Sequence, residues 1–196
     1  MTAENAATAW LVCHPFTPVG VPARIRAAAA FRADGLSVSF ALLADSTLFR
    51  IAGRGPARRR HGLWRTTCFE AFVQGEDRPA YREVNLAPSG DWAAYRFERY
   101  RTGGEDLVMP APAVRCGSPR SGPVLDALLP VGSLPPGDRL DLGLAVVLER
   151  VDGHLSYWAV RHPPGAPDFH RPEGLALRLR APGASAGRRV SGTAIR

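Results

Sequence analysis

The chain has 196 residues, 45% hydrophobic and 22% charged, with a net charge of +7. That is one domain of ordinary globular sequence, and it excludes a disordered chain, a collagen and a long coiled coil. Its 20 glycines and 18 prolines punctuate many short elements and favour an all-β fold.

In chain order, residues 1–8 read as a flexible lead and residues 10–14 as a first strand. Residues 24–31 are alanine-rich and predict a short helix that Gly35 ends. Residues 36–43 alternate Leu36, Val38, Phe40 and Leu42 with small or polar residues, which is a strand. Residues 48–51 are expected to pair with it across Asp45 and Ser46. An Arg-rich loop follows, carrying Arg54, Arg58, Arg59 and Arg60.

Residues 64–73 predict a strand with two faces. One face carries Trp64, Thr66, Cys68, Glu70 and Phe72; the other carries Arg65, Thr67, Phe69, Ala71 and Val73. Residues 80–87 set Tyr81, Glu83 and Asn85 against Val84 and Leu86. Pro88, Ser89 and Gly90 make a turn, and residues 92–101 return, so the three strands predict an antiparallel meander. A short strand is expected around 113–115, and residues 125–129 fit either a helix or a strand. Leu140, Leu142, Leu144, Val146 and Leu148 alternate strictly within 139–150, the clearest core strand. Asp152 and Gly153 form a hairpin turn into residues 154–162, and residues 175–179 close the sheet. The pattern predicts one all-β domain over 9–180, a two-sheet antiparallel β-sandwich of immunoglobulin-like or jelly-roll type. Residues 181–196 read as a disordered basic tail.

All 25 basic residues are Arg. Genome composition explains this more simply than phosphate recognition, because the arginines form no stripe with aromatics. Nucleic acid is therefore a minor option. Cys13, Cys68 and Cys116 are odd in number and lack CxxC spacing. That predicts reduced thiols in the cytoplasm and argues against a disulfide scaffold. No signal peptide or apolar run long enough to span a membrane is visible. Dinucleotide, phosphate-loop, nucleophile-elbow and zinc-protease motifs are absent.

What remains is polar residues set into apolar strands, where an unpaired buried charge costs several kcal/mol. Glu70, Glu83 and Asn85 lie on adjacent strands, followed by Trp92, Tyr95 and Arg101. A second cluster holds Tyr157, Trp158, His162, Asp168, Phe169 and His170. Flat rings with carboxylates, an amide and an Arg suit sugars, whose C–H face stacks on rings while hydroxyls pair with polar groups. A satisfied buried pair of Glu70 with Arg65 or Arg101 would be the structural alternative. His162, Asp168 and His170 are possible metal ligands, although capping of backbone groups in a Pro-rich loop is the favoured explanation and no metal is assigned. Glu70 with Glu83 could form a glycoside hydrolase pair, a secondary reading to that of a non-enzyme.

Three segments carry a family resemblance. They are Leu63-Trp64-Arg65-Thr66-Thr67-Cys68-Phe69-Glu70-Ala71-Phe72, the run from Tyr81 to Tyr95, and Tyr157-Trp158-Ala159-Val160-Arg161-His162-Pro163 with Pro167-Asp168-Phe169-His170. Over roughly Trp10 to Leu179 the chain resembles bacterial DOMON-like proteins, which are related to type 9 carbohydrate-binding modules. The resemblance implies a non-catalytic sandwich that binds a saccharide or a haem. In the sugar-binding relatives two Trp rings clamp the sugar, and Trp64, Trp92 and Trp158 are the candidates here. In haem-binding relatives a Met and a His are ligands; only Met109, with His162 or His170, could serve. No cofactor is assigned, the oligomeric state stays open, and a protein-interaction module is the further alternative.

Overall fold

The computed structural model describes residues 5–117 and 124–181. Thirteen strands are found among them: β1 (Ala6–Trp10), β2 (Val12–Cys13), β3 (Ala23–Arg32), β4 (Gly35–Ala44), β5 (Cys68–Gly75), β6 (Tyr81–Leu86), β7 (Trp92–Phe97), β8 (Glu105–Asp106), β9 (Ala113–Gly117), β10 (Val124–Pro130), β11 (Arg139–Glu149), β12 (Leu155–Ala159) and β13 (Leu177–Arg180). They form two antiparallel sheets. The smaller runs β1-β3-β4-β10-β9; the larger runs β2-β12-β11-β5-β6-β7-β8, with β13 also paired to β11.

The inner faces meet in one apolar core. Ile25, Ala27, Val38, Phe40 and Leu42 come from the smaller sheet, and Phe69, Ala71, Val84, Leu144 and Val146 from the larger. Period-two alternation sends these side chains inward and their neighbours outward. The predicted β5-β6-β7 meander and the long alternating strand β11 are both present.

Three local expectations are corrected. Residues 24–31 are not helical but lie within β3, paired with β1 on one side and β4 on the other. Helix propensity is worth tenths of a kcal/mol per residue, whereas two flanking ladders satisfy the whole backbone and bury Ala27 and Ala29. Residues 48–51 do not pair with β4. Asp45 instead caps a 3-10 turn over Ser46–Leu48, accepting from the Thr47 amide at 3.0 Å, and Phe49 bridges Arg150 at the end of β11. Residues 64–67 precede the strand; Leu63–Arg65 form a 3-10 turn. Elsewhere, residues 125–129 resolve as strand, and β1 begins at Ala6, inside the segment read as a lead. Residues 182–196, most of the expected tail, lie outside the described residues.

The Arg-rich loop is stitched to the β6–β7 turn. Trp92 donates its amide to the Arg58 carbonyl at 3.0 Å, and Arg60 returns a 2.9 Å bond to Trp92. Arg59 stacks 4.7 Å over the Trp92 ring and pairs with Asp106 at 3.2 Å. Among the described residues no helix is long and apolar enough to cross a membrane.

The outer face of the larger sheet is also covered. After β12, residues 160–176 fold back over it and seat Phe169 and Leu175 on Phe72, Tyr81, Ala145 and Ala159. Gly143 in β11 allows this: a Cβ there would meet Leu175 Cδ2 at 3.0 Å and the Gly174 carbonyl oxygen at 3.3 Å.

Candidate functional site

The same alternation that sends Phe69, Ala71 and Val73 inward turns Cys68, Glu70 and Phe72 outward. On β6 it turns out Tyr81, Glu83 and Asn85. The register sets Glu70 opposite Asn85, Glu83 opposite Phe72 on one side and Tyr95 on the other, and Tyr81 opposite Phe97. The covering segment does not fill the space above these residues, and a cleft of about 410 Å³ remains.

Glu70 and Glu83 reach into the cleft, with only 3% and 5% of their surface exposed. Aromatic rings surround them. Trp64 and Tyr95 meet edge to face at 6.1 Å, and Tyr157 and Phe169 lie 6.0 Å apart. These pairs flank the carboxyls, because β12 and β7 are separated by β11, β5 and β6. At ~4.8 Å per strand the two outer strands stand about 19 Å apart. Gly62, at φ +75°, turns the chain into the 3-10 turn that holds Trp64 at the rim.

One hydrogen-bond chain organises the rim. Tyr81 Oη and His170 Nδ1 are 2.8 Å apart, and the Arg101 amide donates to Tyr81 Oη at 3.2 Å. Asp168 accepts from Tyr100 Oη at 2.6 Å, from the Arg101 guanidinium at 2.9 Å and from the His170 amide at 3.1 Å. Burial alone would raise the Asp168 carboxyl, but these donors hold it below its ordinary range. Arg101 adopts φ +50°, a left-handed conformation that costs a non-glycine residue about 1–2 kcal/mol and is held by these bonds.

The carboxyls below are less well served. Asn85 Nδ2 donates to Glu83 Oε1 at 2.8 Å. Glu70 Oε1 and Asn85 Oδ1 are buried with no hydrogen-bond partner among the described residues. Each such orphan costs about 1–3 kcal/mol. Burial raises Glu83 to about 7, against the Asn85 amide and the Arg101 charge, which pull it down. Burial, then the Glu83 charge, raises Glu70 well above the carboxylate range. Burial, then Arg101, lowers His170 to about 4. His170 Nε2 lies 3.8 Å from Glu83 Oε2, but both shifts favour the neutral forms, so we read a neutral contact and not an ion pair.

Of the residues singled out from the sequence, Trp64, Glu70, Glu83, Tyr95, Arg101, Asp168 and His170 line the cleft. Tyr81 and Asn85 support them from below, through His170 and Glu83. Three do not belong to it. Trp92 and Trp158 point into the inter-sheet core, 6% and 4% exposed, so they cannot clamp a ligand in this cleft. Trp158 instead donates Nε1 to Ser156 Oγ at 3.0 Å. His162 turns to the Val12 carbonyl oxygen at 2.9 Å and packs on His14. The side chains of His162, Asp168 and His170 thus turn to different partners, and no metal-ligating cluster is found among the described residues. The suggested pairing of Glu70 with Arg101 is replaced by that of Arg101 with Asp168. Met109 packs against the inter-sheet core while His170 lies on the outer face.

Phe97, Val147, Pro167 and Gly104 also line the cleft and were not singled out. Phe97 shares the outward parity of Tyr95, two residues away, which was the available signal. Tyr157 and Phe169 were visible in the second aromatic cluster, but which face each took depended on the fold.

No family model matches the chain, and no curated protein matches it. Solved structures do. A proposed carbohydrate-binding protein of Bacteroides uniformis is similar over 90% of this chain and 86% of its own, with a TM-score of 0.63 and 14% identity. A family 9 carbohydrate-binding module of Caldicellulosiruptor kristjanssonii in complex with glucose is similar over 87% of this chain and 83% of its own, with a TM-score of 0.52 and 10% identity. The same module with cellotriose gives 0.53 at 10% identity, covering 87% of this chain and 80% of that one. At these identities the likeness is one of fold: this chain is an all-β sandwich of the kind those proteins share.

Proposed function

We propose that the chain is a non-catalytic, DOMON-like ligand-binding sandwich whose outer cleft holds a saccharide. The observation that carries this reading is the pair of buried carboxyls flanked by rings, with Glu70 Oε1 and Asn85 Oδ1 unpartnered among the described residues. Hydroxyl groups are the donors such acceptors lack, and the rings cover the C–H face of a pyranose. Glu70 and Glu83 act as hydrogen-bond acceptors in this reading, not as an acid and a base. We propose in addition a cytoplasmic location, which the three free cysteines support, and assign no cofactor.

The similar folds that carry glucose and cellotriose support the reading and name the first ligands to try. Calorimetric titration with glucose and cellotriose should show saturable binding. Trp64→Ala should weaken it about tenfold, the ~1.4 kcal/mol of one lost ring face. Absence of saturable binding for these and for a wider panel of neutral and amino sugars would refute the reading.

A further inference from the structure

We infer that the cleft selects a saccharide bearing a free amine, bound as its ammonium between the Glu70 and Glu83 carboxyls. This deepens the saccharide reading above and rests on it. Two acids share one buried floor, on adjacent strands of one sheet face. Among the described residues lining the cleft, the cationic side chain is Arg101, and it is already committed to Asp168 at 2.9 Å. His170 spends Nδ1 on Tyr81 Oη and approaches Glu83 no closer than 3.8 Å. Among the described residues no cation is bonded to either acid, and the Arg101 charge eases Glu83 alone and by less than burial opposes it, although the chain as a whole carries +7.

A neutral sugar supplies donors to these acceptors but brings no charge that would let both carboxyls ionise. An ammonium supplies up to three donors and a unit charge together. The surrounding rings suit it as well. Trp64, Tyr95, Phe97, Tyr157 and Phe169 line the same cleft, and ring faces attract cations within about 6 Å. Empty, the buried pair lowers its repulsion by keeping a proton, consistent with the raised values of both groups. An incoming ammonium takes the place of that proton, which leaves to solvent.

The test is calorimetric titration of the full chain with glucosamine, glucose, N-acetylglucosamine and choline, at about pH 6.5 and in buffers of different ionisation heat. We expect glucosamine to bind at least about tenfold more tightly than glucose or the N-acetyl sugar, with a proton released. Glu70→Gln and Glu83→Gln should each bring the glucosamine-to-glucose ratio toward one. Glucose bound as tightly as glucosamine overturns the amine assignment and leaves the saccharide reading standing. Choline bound while no sugar binds overturns both, in favour of a plain ammonium site. No binding of any of the four overturns the amine assignment and leaves the saccharide reading to the wider sugar panel. The wild-type ratio decides the matter even where a variant fails to fold.

Discussion

The two faces of β5 and β6 are nearly equally buried and chemically opposite. Inward, Phe69, Ala71, Val73, Val84 and Leu86 meet the second sheet. Outward, Cys68, Glu70, Phe72, Tyr81, Glu83 and Asn85 lie beneath the segment 160–176 and the ringed cleft. The inner face is buried because two sheets exclude water from apolar surface, and it needs nothing further. The outer face is buried by a folded-back loop and still contains carboxyls without adequate partners. Burial alone therefore does not separate core from site; unsatisfied polar atoms do.

Mutations can break this contrast, beginning with the largest effect. Trp158→Ala removes a core ring and its bond to Ser156, and should cost about 3–5 kcal/mol in denaturant unfolding. Should Trp158→Ala prove as mild as an exposed substitution, the inner-face assignment of that ring is wrong. Trp64, which is 41% exposed, should give a stable Ala variant that loses only ligand.

The next effect depends on pH. Glu83 titrates at about 7 in the folded protein against an ordinary value of 4.5. Between these values the folded state holds a proton that the unfolded chain has released, so stability falls as pH rises through that window. Glu83→Gln should therefore stabilise the protein by about 1–3 kcal/mol at pH 8 and make little difference at pH 4. His170 opposes this on the acid side, because its folded value of about 4 lies below 6.5 and acid must charge a buried ring. Thermal unfolding of Glu83→Gln and the parent chain across this range checks the sign; equal gains at both ends would show that Glu83 is not the titrating group.

A smaller loss is expected at the rim. Asp168→Ala removes the acceptor for Tyr100, Arg101 and the His170 amide, at a cost of about 1–2 kcal/mol given its partial exposure. The covering segment should then be cut more readily by protease while the inter-sheet core stays intact. Unchanged cleavage would mean that Phe169 and Leu175 alone hold the segment down.

Much of this was legible in the residues. Strict alternation in β11 and in the β5-β6-β7 meander fixed both strand type and face, because side-chain parity is a local property. It also put Glu83 and Asn85 on one face of a strand beside that of Glu70, whereas the place of Tyr95 opposite Glu83 came from the register. Where local signals were weak, only tertiary contacts decided. The alanine run in β3 carries no alternation of its own and took its form from two flanking ladders. Trp92 and Trp158 looked like ring clamps because a tryptophan suits a core and a site equally well. Which face each took follows from register across strands far apart in sequence. Arg101 and Asp168 lie 67 residues apart, and their pairing appears only when residues 160–176 fold over the larger sheet. Sequence thus determined the sandwich and the polar face within it, through short-range parity. The cleft itself, its depth and the commitment of Arg101 to Asp168 are long-range facts, set by which segments the fold lays across that face.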